Sequence, residues 1–552
     1  MMADFRNKVI YQIYPKSFRD TNGDGIGDIP GVIEKLDYLQ ELGVDYLWLT
    51  PFFISPQRDN GYDVADYRRI DPQFGTMEDL ENLIRQSEER GMGIMLDMVF
   101  NHTSTQHEWF RKALAGEEKY QNYYLFKGGA PKHPPTNWES KFGGSAWEYV
   151  PELKKWYLRL YDVTQADLNW DNPEVREELK DILRFWKGKG IRGFRFDVIN
   201  LVSKPEILED DFEGDGRRFY SDGPHIHEYL KELVKDAGIE DMVTVGEMSS
   251  TSLENCIRYS APKEREFSMC FNFHHLKADY KDGDKWALQP VDYKKLKELF
   301  IRWQMGMQEG EGWNALFWCN HDQPRIVSRL GDESSYWEAS AKMLAGMIHF
   351  MRGTPYIYQG EEIGMLNAHY PAISDYRDVE SLNYYQILLE RGKRADEALK
   401  ILSARSRDNS RTPMQWNRGT YGGFSEAEPW LPVSAVFRDE ITVEAQLKKE
   451  DSILAFYKKL IAMRKQYPVI AEGSISFCET DSDKVLAYER ALGQQKLIVF
   501  CNLDEEQHDI TISGAWRGFQ RLLGNYEGRQ RLPQKDRYIM EPYEFLVLGN
   551  IK

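Results

Sequence analysis

Apolar residues in roughly the first 360 positions form short runs separated by longer amphipathic segments. Eight runs predict strands, at 9–15, 46–51, 93–99, 193–200, 242–248, 266–273, 314–320 and 355–359. Segments between them carry apolar residues every three or four positions, as at 33–42, 77–91, 173–190 and 336–352, which is typical of helices that cover a sheet. Strands that alternate with helices run parallel with right-handed crossovers. Eight such strands predict an α/β fold, a (β/α)8 (TIM) barrel.

Two regions depart from this alternation. Residues 103–168 are rich in Trp, Tyr, Pro, Lys and Gly, and an inserted subdomain explains them better than a structureless loop of that length. A polar, irregular segment covers about 363–450, and beyond about 470 an alternating, turn-broken pattern predicts antiparallel strands. The predicted domains are a barrel over 1–102 and 169–468, an inserted subdomain over 103–168 and a C-terminal β-sandwich over 469–552.

Acids and histidines follow five of the predicted strands. In a parallel barrel the carboxyl ends of all strands meet at one face, where catalytic groups lie. The pattern therefore predicts an enzyme with its site at that face. The strand-end residues are Asp97, His102, Asp197, Glu247, His321, Asp322, Glu361 and Glu362.

The run at 193–200 contains an Arg and an Asp, Arg195 and Asp197, that point to the same side of a strand because they are two residues apart. Burying a carboxylate costs several kcal/mol unless it is paired. A structural ion pair is the simplest explanation of one such pair. The acids at the other strand ends favour a catalytic site instead.

Composition and net charge limit the kinds of molecule that the protein is expected to bind. The 552 residues carry a net charge of −17, which disfavours nucleic acid as a partner because phosphate backbones attract basic surfaces. No apolar stretch approaches about 18 residues, so no membrane contact is expected. The 5 cysteines are scattered without metal-ligand spacing, as in a reduced cytoplasmic protein.

The segment 20–28, D-T-N-G-D-G-I-G-D, places oxygen-bearing side chains at alternate positions between glycines. Such a loop suits a hard cation such as calcium. An EF-hand needs Glu at the twelfth position, where Gly31 stands, so the loop is of another kind. The alternative interpretation is that the loop is an acidic turn exposed to solvent that binds no ion.

Five motifs carry a family resemblance. They are D-M-V-F-N-H (97–102), Q-A-D-L-N-W (165–170), G-F-R-F-D-V-I-N (193–200), V-G-E-M (245–248) and N-H-D-Q-P-R (320–325). In order and spacing they strongly resemble the α-amylase superfamily of glycoside hydrolases over essentially the whole chain. The resemblance implies that Asp197 is the nucleophile, that Glu247 is the acid and base, and that Asp322 holds the sugar ring.

The resemblance is to the exo-acting α-glucosidase branch, and it implies further site residues. Those that bind the sugar are Asp59, Tyr62, His102, Arg195, His321 and Arg411, with an Asp59–Arg411 pair closing the pocket behind the non-reducing glucose. The implied calcium ligands are Asp20, Asn22, Asp24, the Ile26 carbonyl and Asp28, in a structural role. No organic cofactor is implied.

Within that branch the stretches 245–260, 271–280 and 315–329 are most similar to the trehalose-6-phosphate hydrolases, which are phospho-α-(1,1)-glucosidases. The resemblance implies a phosphorylated disaccharide as substrate and a retaining reaction that releases glucose and glucose 6-phosphate. Lys277 and Lys285 are the candidates for binding the phosphate, although either is equally well an ordinary solvated lysine.

Other functions fit less well. An oligo-1,6-glucosidase or dextran glucosidase, acting on isomalto-oligosaccharides, shares the catalytic motifs and is the main alternative. A glycan-binding module needs no acids at three strand ends. Catalytically inactive relatives that serve as transporter subunits lose those acids and carry a membrane span.

Overall fold

The computed structural model describes residues 4–526 and 537–551. Its central sheet has eight parallel strands, which are β1 (Ile10–Ile13), β2 (Tyr46–Leu49), β3 (Gly93–Met98), β4 (Gly193–Phe196), β5 (Val243–Glu247), β6 (Met269–Phe271), β7 (Ala315–Leu316) and β8 (Thr354–Tyr358). Their order in the sheet is β6-β5-β4-β3-β2-β1-β8-β7, and a parallel bridge between Cys270 and Asn314 joins the two edges. The (β/α)8 prediction is confirmed.

Helices alternate with these strands and cover the outside of the barrel. Pro173–Gly188 is a typical case: the Asn172 side chain accepts a hydrogen bond from the Glu174 N–H at its start, Pro173 holds the first position, and one face is buried. The helices are Ile29–Glu34, Leu36–Leu42, Met77–Glu89, Pro173–Gly188, Ile226–Asp236, Leu253–Ser260, Tyr293–Glu309, Ile326–Leu330, Trp337–His349 and Ile453–Gln466.

The region after β3 folds into small elements of its own. Strand His102–Ser104 pairs with Gln165–Asp167, which brings the chain back to the barrel where it left. Between them lie helices Glu108–Leu114 and Glu118–Gln121 and a three-stranded antiparallel sheet. That sheet contains Phe126–Gly128, Lys155–Leu158 and Trp147–Val150.

The prediction of an irregular segment over 363–450 is wrong in part. This region holds helices Val379–Glu390, Ala395–Arg405, Asp408–Arg411 and Val443–Leu447. The first two pack Leu388 and Leu402 into a separate apolar cluster with Trp286 of the loop after β6. These two helices are only partly buried and carry charged residues on several faces. Their apolar residues therefore lack a clear helical period, and the sequence pattern did not predict them.

The C-terminal region forms an antiparallel sheet of Ser474–Cys478, Val485–Leu492, Gln495–Asn502, Phe545–Gly549 and Gln520–Gly524, in that order. A two-stranded sheet, His508–Thr511 with Arg537–Met540, packs against it through an apolar cluster. The larger sheet also covers helix Trp337–His349, where Tyr488 Oη donates to the Met347 carbonyl at 2.5 Å. That helix is therefore buried on every side.

None of the helices in the part of the chain that the structure describes has both the length and the apolar character needed to cross a membrane. The domain limits predicted above remain predictions.

Candidate active site

Arg195 on β4 joins three carboxyl groups at the centre of the barrel face. Its Nη1 lies 2.6 Å from Asp97 Oδ1 and 2.6 Å from Asp197 Oδ1, and its Nη2 contacts Glu247 Oε2. The strands that carry these residues are neighbours, and Arg195 is in register with Asp97. The guanidinium also lies 5.2 Å from the centre of the Trp48 ring. One buried cation thus organises three acids.

Asp197 lies one residue beyond the end of β4, so the predicted strand 193–200 is too long. Val198 has a φ of 36° and a ψ of 39°, in the left-handed region that β-branched residues rarely adopt. This turn ends the strand and leaves the Asp197 carboxylate facing the cavity beside Arg195. Backbone strain of this kind is often found where the surrounding structure fixes a functional side chain.

Glu247, the last residue of β5, is in an environment that favours the protonated acid. Burial raises its pKa well above the ordinary value. Arg195 opposes this shift, whereas the charges of Asp197 and Asp322 add to it. Glu247 is therefore suited to donate a proton.

Asp322 has the opposite preference. It accepts a hydrogen bond from Arg411 Nη2 at 2.7 Å, and its Oδ2 lies 3.2 Å from His321 Nε2. Burial alone would raise its pKa, but the close contact with His321 and the charges of Arg407 and Arg411 outweigh burial and bring the pKa well below the ordinary value. Asp322 is an ionised carboxylate next to an acid that holds its proton.

The predicted pair between Asp59 and Arg411 is not formed. Asp59 Oδ1 instead accepts from Arg407 Nη2 at 2.9 Å, whereas Arg411 is fully buried behind Asp322. Arg407 directly precedes the short helix Asp408–Arg411, and Arg411 is its last residue. Asp378 holds both arginines, at 2.5 Å from Arg407 Nη2 and 3.6 Å from Arg411 Nη1.

Two buried histidines, His102 and His321, flank the acids. The ring of His321 stacks on that of Tyr62, with 5.0 Å between centroids and 2° between planes, and Tyr62 Oη donates to Asp97 Oδ2 at 2.9 Å. His102 Nε2 lies 3.1 Å from the Tyr62 carbonyl oxygen. Burial lowers the pKa of both histidines, so each favours the neutral ring that can donate and accept hydrogen bonds.

These side chains surround a cavity of about 250 Å³, large enough for a sugar. The paired Asp59 and Arg407 form part of its wall, and Asp197 and Glu247 line it as well. The lining residues are Asp59, Tyr62, His102, Lys141, Phe142, Tyr161, Asp197, Val198, Glu247, Ser249, Phe273, Lys285, Asp322, Gln323, Glu380 and Arg407.

The two candidate lysines differ in position. Lys285 lines the cavity, but its ammonium is already paired with Glu380 at 2.7 Å. Lys277 is half-buried in the turn His274–Lys277 and is not part of the cavity wall. Their role in phosphate binding remains a prediction.

The loop 20–28 curls around the Asp20 carboxylate, away from the cavity. Asp20 accepts hydrogen bonds from the N–H groups of Asn22, Gly23 and Gly25, and Asp28 caps helix Ile29–Glu34 by accepting from the Gly31 N–H. The side chains of Asn22 and Asp24 and the Ile26 residue lie at or near the surface. All the donor atoms are oxygens, as a hard cation requires.

Sequence reasoning missed several residues at the site. Arg407 replaces Arg411 at the pocket end, and Gln165 Nε2 donates to Asp59 Oδ2 at 3.1 Å. Lys141 lines the cavity from the inserted region, and Glu380 lines it from helix Val379–Glu390. The family motifs do contain Gln165, and Arg407 opens the stretch R-D-N-S-R-T-P at 407–413, so both had a signal in the sequence.

Comparison with known proteins identifies the family. The profile of the α-amylase catalytic domain matches residues 12–473. The chain belongs to the α-amylase family. Among curated α-amylase family relatives, it is 53% identical to the trehalose-6-phosphate hydrolase of Escherichia coli over 542 residues, covering 98% of each chain.

More distant relatives have another specificity. The oligo-1,6-glucosidase of Bacillus cereus is 42% identical over 553 residues, covering 98% of each chain.

The crystal structure of the trehalose-6-phosphate hydrolase of Bacillus licheniformis superposes with a TM-score of 0.93 at 50% identity, covering 99% of each chain. This α-amylase family member is thus a glycoside hydrolase built like these enzymes along its whole length.

Proposed function

We propose that the protein is a retaining, exo-acting α-glucosidase that hydrolyses trehalose 6-phosphate to glucose and glucose 6-phosphate. The observation that carries this proposal is the 53% identity to a trehalose-6-phosphate hydrolase, against 42% to an oligo-1,6-glucosidase, over 98% of each chain in both cases. Both identities refer to nearly the full length of each chain, so they do not rest on the shared catalytic motifs alone.

In this proposal Asp197 attacks the anomeric carbon while Glu247 protonates the leaving oxygen. Glu247 then takes a proton from the water that releases the glucose. Retaining enzymes place the two carboxyl groups about 5 Å apart, whereas inverting enzymes leave about 6.5–9.5 Å for a water. A single guanidinium, that of Arg195, contacts both groups, which favours the short separation.

The remaining groups position the sugar in this proposal. Asp322 is ionised and accepts hydrogen bonds from sugar hydroxyls, and the neutral rings of His102 and His321 serve further hydroxyls. The ion pair of Asp59 with Arg407 closes the inner end of the cavity. One glucose unit fits between this pair and the acids, which accounts for removal of a single glucose from the non-reducing end.

The decisive experiment compares substrates of the purified enzyme. We expect kcat/KM for trehalose 6-phosphate to exceed that for unphosphorylated trehalose and for isomaltose by at least about tenfold, since a charge-assisted hydrogen bond contributes roughly 1.5–3 kcal/mol. Glucose release is the measurement, and glucose 6-phosphate must appear in equal amount. A preference for isomaltose would replace this function with that of an oligo-1,6-glucosidase.

We also propose that the loop 20–28 binds calcium in a structural role. Asp20, Asn22, Asp24, the Ile26 carbonyl and Asp28 would hold the ion. The support is the all-oxygen donor set and the curled backbone, with Gly23 and Gly25 at φ of 77° and 84°. The loop contacts the segment after the last barrel strand, because Ser425 Oγ donates to Asp20 Oδ2 at 2.5 Å. A bound ion would therefore fasten two distant parts of the chain.

Calcium should raise the unfolding temperature. A ligand that binds only the native state adds about 2.7 kcal/mol at a concentration of 100 Kd. The Asp24 side chain is exposed, so Asp24→Ala should remove the effect of calcium while leaving the unfolding temperature in chelator almost unchanged. The Asp20 side chain accepts hydrogen bonds from the loop backbone, so Asp20→Ala should remove the calcium effect and also lower the unfolding temperature in chelator. Thermal unfolding with calcium, magnesium and chelator is the measurement. A calcium response that survives both substitutions would contradict the site.

We place the enzyme in the cytoplasm. All five cysteines are unpaired, four of them buried, as is usual for proteins kept in reducing compartments. The proposed substrate carries a charged phosphate, which keeps such sugars on the side of the membrane where they are made.

A further inference from the structure

Lys141 lines the cavity and brings a positive charge to it. It lies in the inserted region, where its N–H donates to the Leu160 carbonyl at 2.9 Å. Its ammonium lies 5.4 Å from the centre of the Tyr220 ring. No carboxylate within the described ranges 4–526 and 537–551 forms an ion pair with it. Lys285, the other lysine on the cavity wall, is neutralised by Glu380.

Two further cations lie near Lys141. Arg217 begins the short helix Arg217–Tyr220, whose Tyr220 ring faces the Lys141 ammonium, and Lys277 ends the turn His274–Lys277. Burial lowers the pKa of Lys141 to about 8, and the charges of Arg217 and Lys277 add to that shift, whereas Asp215 and Glu247 oppose it. Asp215 accepts a hydrogen bond from Arg217 Nε at 2.8 Å. The fold thus holds three cations near one another despite their mutual repulsion, in a chain with a net charge of −17.

Lys141 shares the cavity with the acids, which indicates the sugar that it meets. Lys141 and Glu247 both line the cavity. The group that protonates the leaving oxygen faces the leaving sugar. Asp59 and Arg407, which form an ion pair in the same cavity wall, hold the glucose that is transferred to the enzyme in the proposed function. The phosphorylated sugar is the leaving group, so it is the sugar left for a cation of the cavity wall outside that pair.

We propose that Lys141, flanked by Arg217 and Lys277, binds the phosphate of the leaving sugar. The inference rests on the proposed function and locates its specificity in the inserted region rather than at Lys285. A phosphate near neutral pH carries between one and two negative charges and accepts several hydrogen bonds, so it relieves the repulsion among the three cations. Sugars without the phosphate gain nothing from this cluster.

The test compares Lys141→Gln with the wild type on trehalose 6-phosphate and on the neutral substrate 4-nitrophenyl α-glucoside. We expect kcat/KM to fall about tenfold or more on the phosphorylated sugar and far less on the neutral one. Lys141→Arg should keep most of the preference because it keeps the charge. Lys127→Gln, an exposed lysine of the same region, is the control for loss of one charge. Lys285→Gln should cost less than Lys141→Gln.

Product inhibition provides a second readout. Glucose 6-phosphate should inhibit hydrolysis of the neutral substrate more strongly than glucose does in the wild type, and Lys141→Gln should remove that difference. Equal losses on both substrates, or an unchanged preference for the phosphorylated sugar, would overturn the assignment of Lys141 while the proposed function stands. A wild type with no preference for the phosphorylated sugar would overturn the proposed function itself.

Discussion

Asp197→Asn should reduce kcat by at least about a thousandfold on every substrate, because a carboxamide cannot form the glycosyl ester. The amide is close in size to the carboxylate and can still accept the hydrogen bond from Arg195, whose distance to Asp197 Oδ1 is 2.6 Å. The fold should therefore survive. Initial rates and thermal unfolding of the variant are the measurements, with Asp396→Asn, an exposed residue, as the matched control.

A second variant locates the attack. Asp197→Ala leaves space beside Arg195, and added azide can take the place of the missing carboxylate. Attack from the same side as the nucleophile gives β-glucosyl azide from an activated α-glucoside. Near-normal turnover in Asp197→Asn, or α-glucosyl azide from Asp197→Ala, would assign the nucleophile elsewhere. Asp97 is not an alternative nucleophile, because its side chain has no exposed surface and both of its oxygens accept hydrogen bonds from the protein.

The sequence allowed prediction of the barrel and of its acids because both follow from strong local patterns. Each barrel strand is an apolar run, and each catalytic candidate follows such a run directly, so counting along the chain placed Asp197, Glu247 and Asp322 at one face. The convergence of Asp97, Asp197 and Glu247 on Arg195 follows from the neighbouring positions of β3, β4 and β5.

The partner of Asp59 could not be predicted in the same way. Arg407 and Arg411 are one helical turn apart in the stretch 407–413, and both point toward Asp378. Which of them reaches Asp59 depends on how helix Asp408–Arg411 sits against the barrel, and no residue pattern reports that. The sequence thus predicted that an arginine pairs with Asp59, but it did not show which of the two arginines lies close to Asp59 in the folded chain.

Lys141 was missed for a related reason. It stands in a glycine-containing stretch, K-F-G-G, that predicts a loop, and one lysine in a loop is usually solvated. Lys141 lies in the region after β3, Arg217 after β4 and Lys277 after β6. These charges come near one another only in the folded chain, so sequence spacing does not predict them.

Glu247→Gln should separate proton donation from the rest of the reaction. General acid catalysis contributes roughly 10²- to 10⁴-fold, and a leaving sugar needs it far more than a dinitrophenolate does. The variant should therefore lose at least about a hundredfold in kcat on trehalose 6-phosphate and much less on 2,4-dinitrophenyl α-glucoside. Rates on the two substrates, with Glu254→Gln as an exposed control, provide the measurement.

The direction in which activity changes with pH tests whether Glu247 is the acid. The proton must be present for catalysis, so activity on trehalose 6-phosphate should hold at low and neutral pH and fall as pH rises through the pKa of Glu247. Because burial and the neighbouring carboxylates raise that pKa well above the ordinary value, the fall should occur at a higher pH than an exposed glutamate would give. On the dinitrophenyl substrate this alkaline decline should be weak in the wild type and absent in Glu247→Gln. Equal losses on both substrates would show that Glu247 acts on something other than the leaving oxygen.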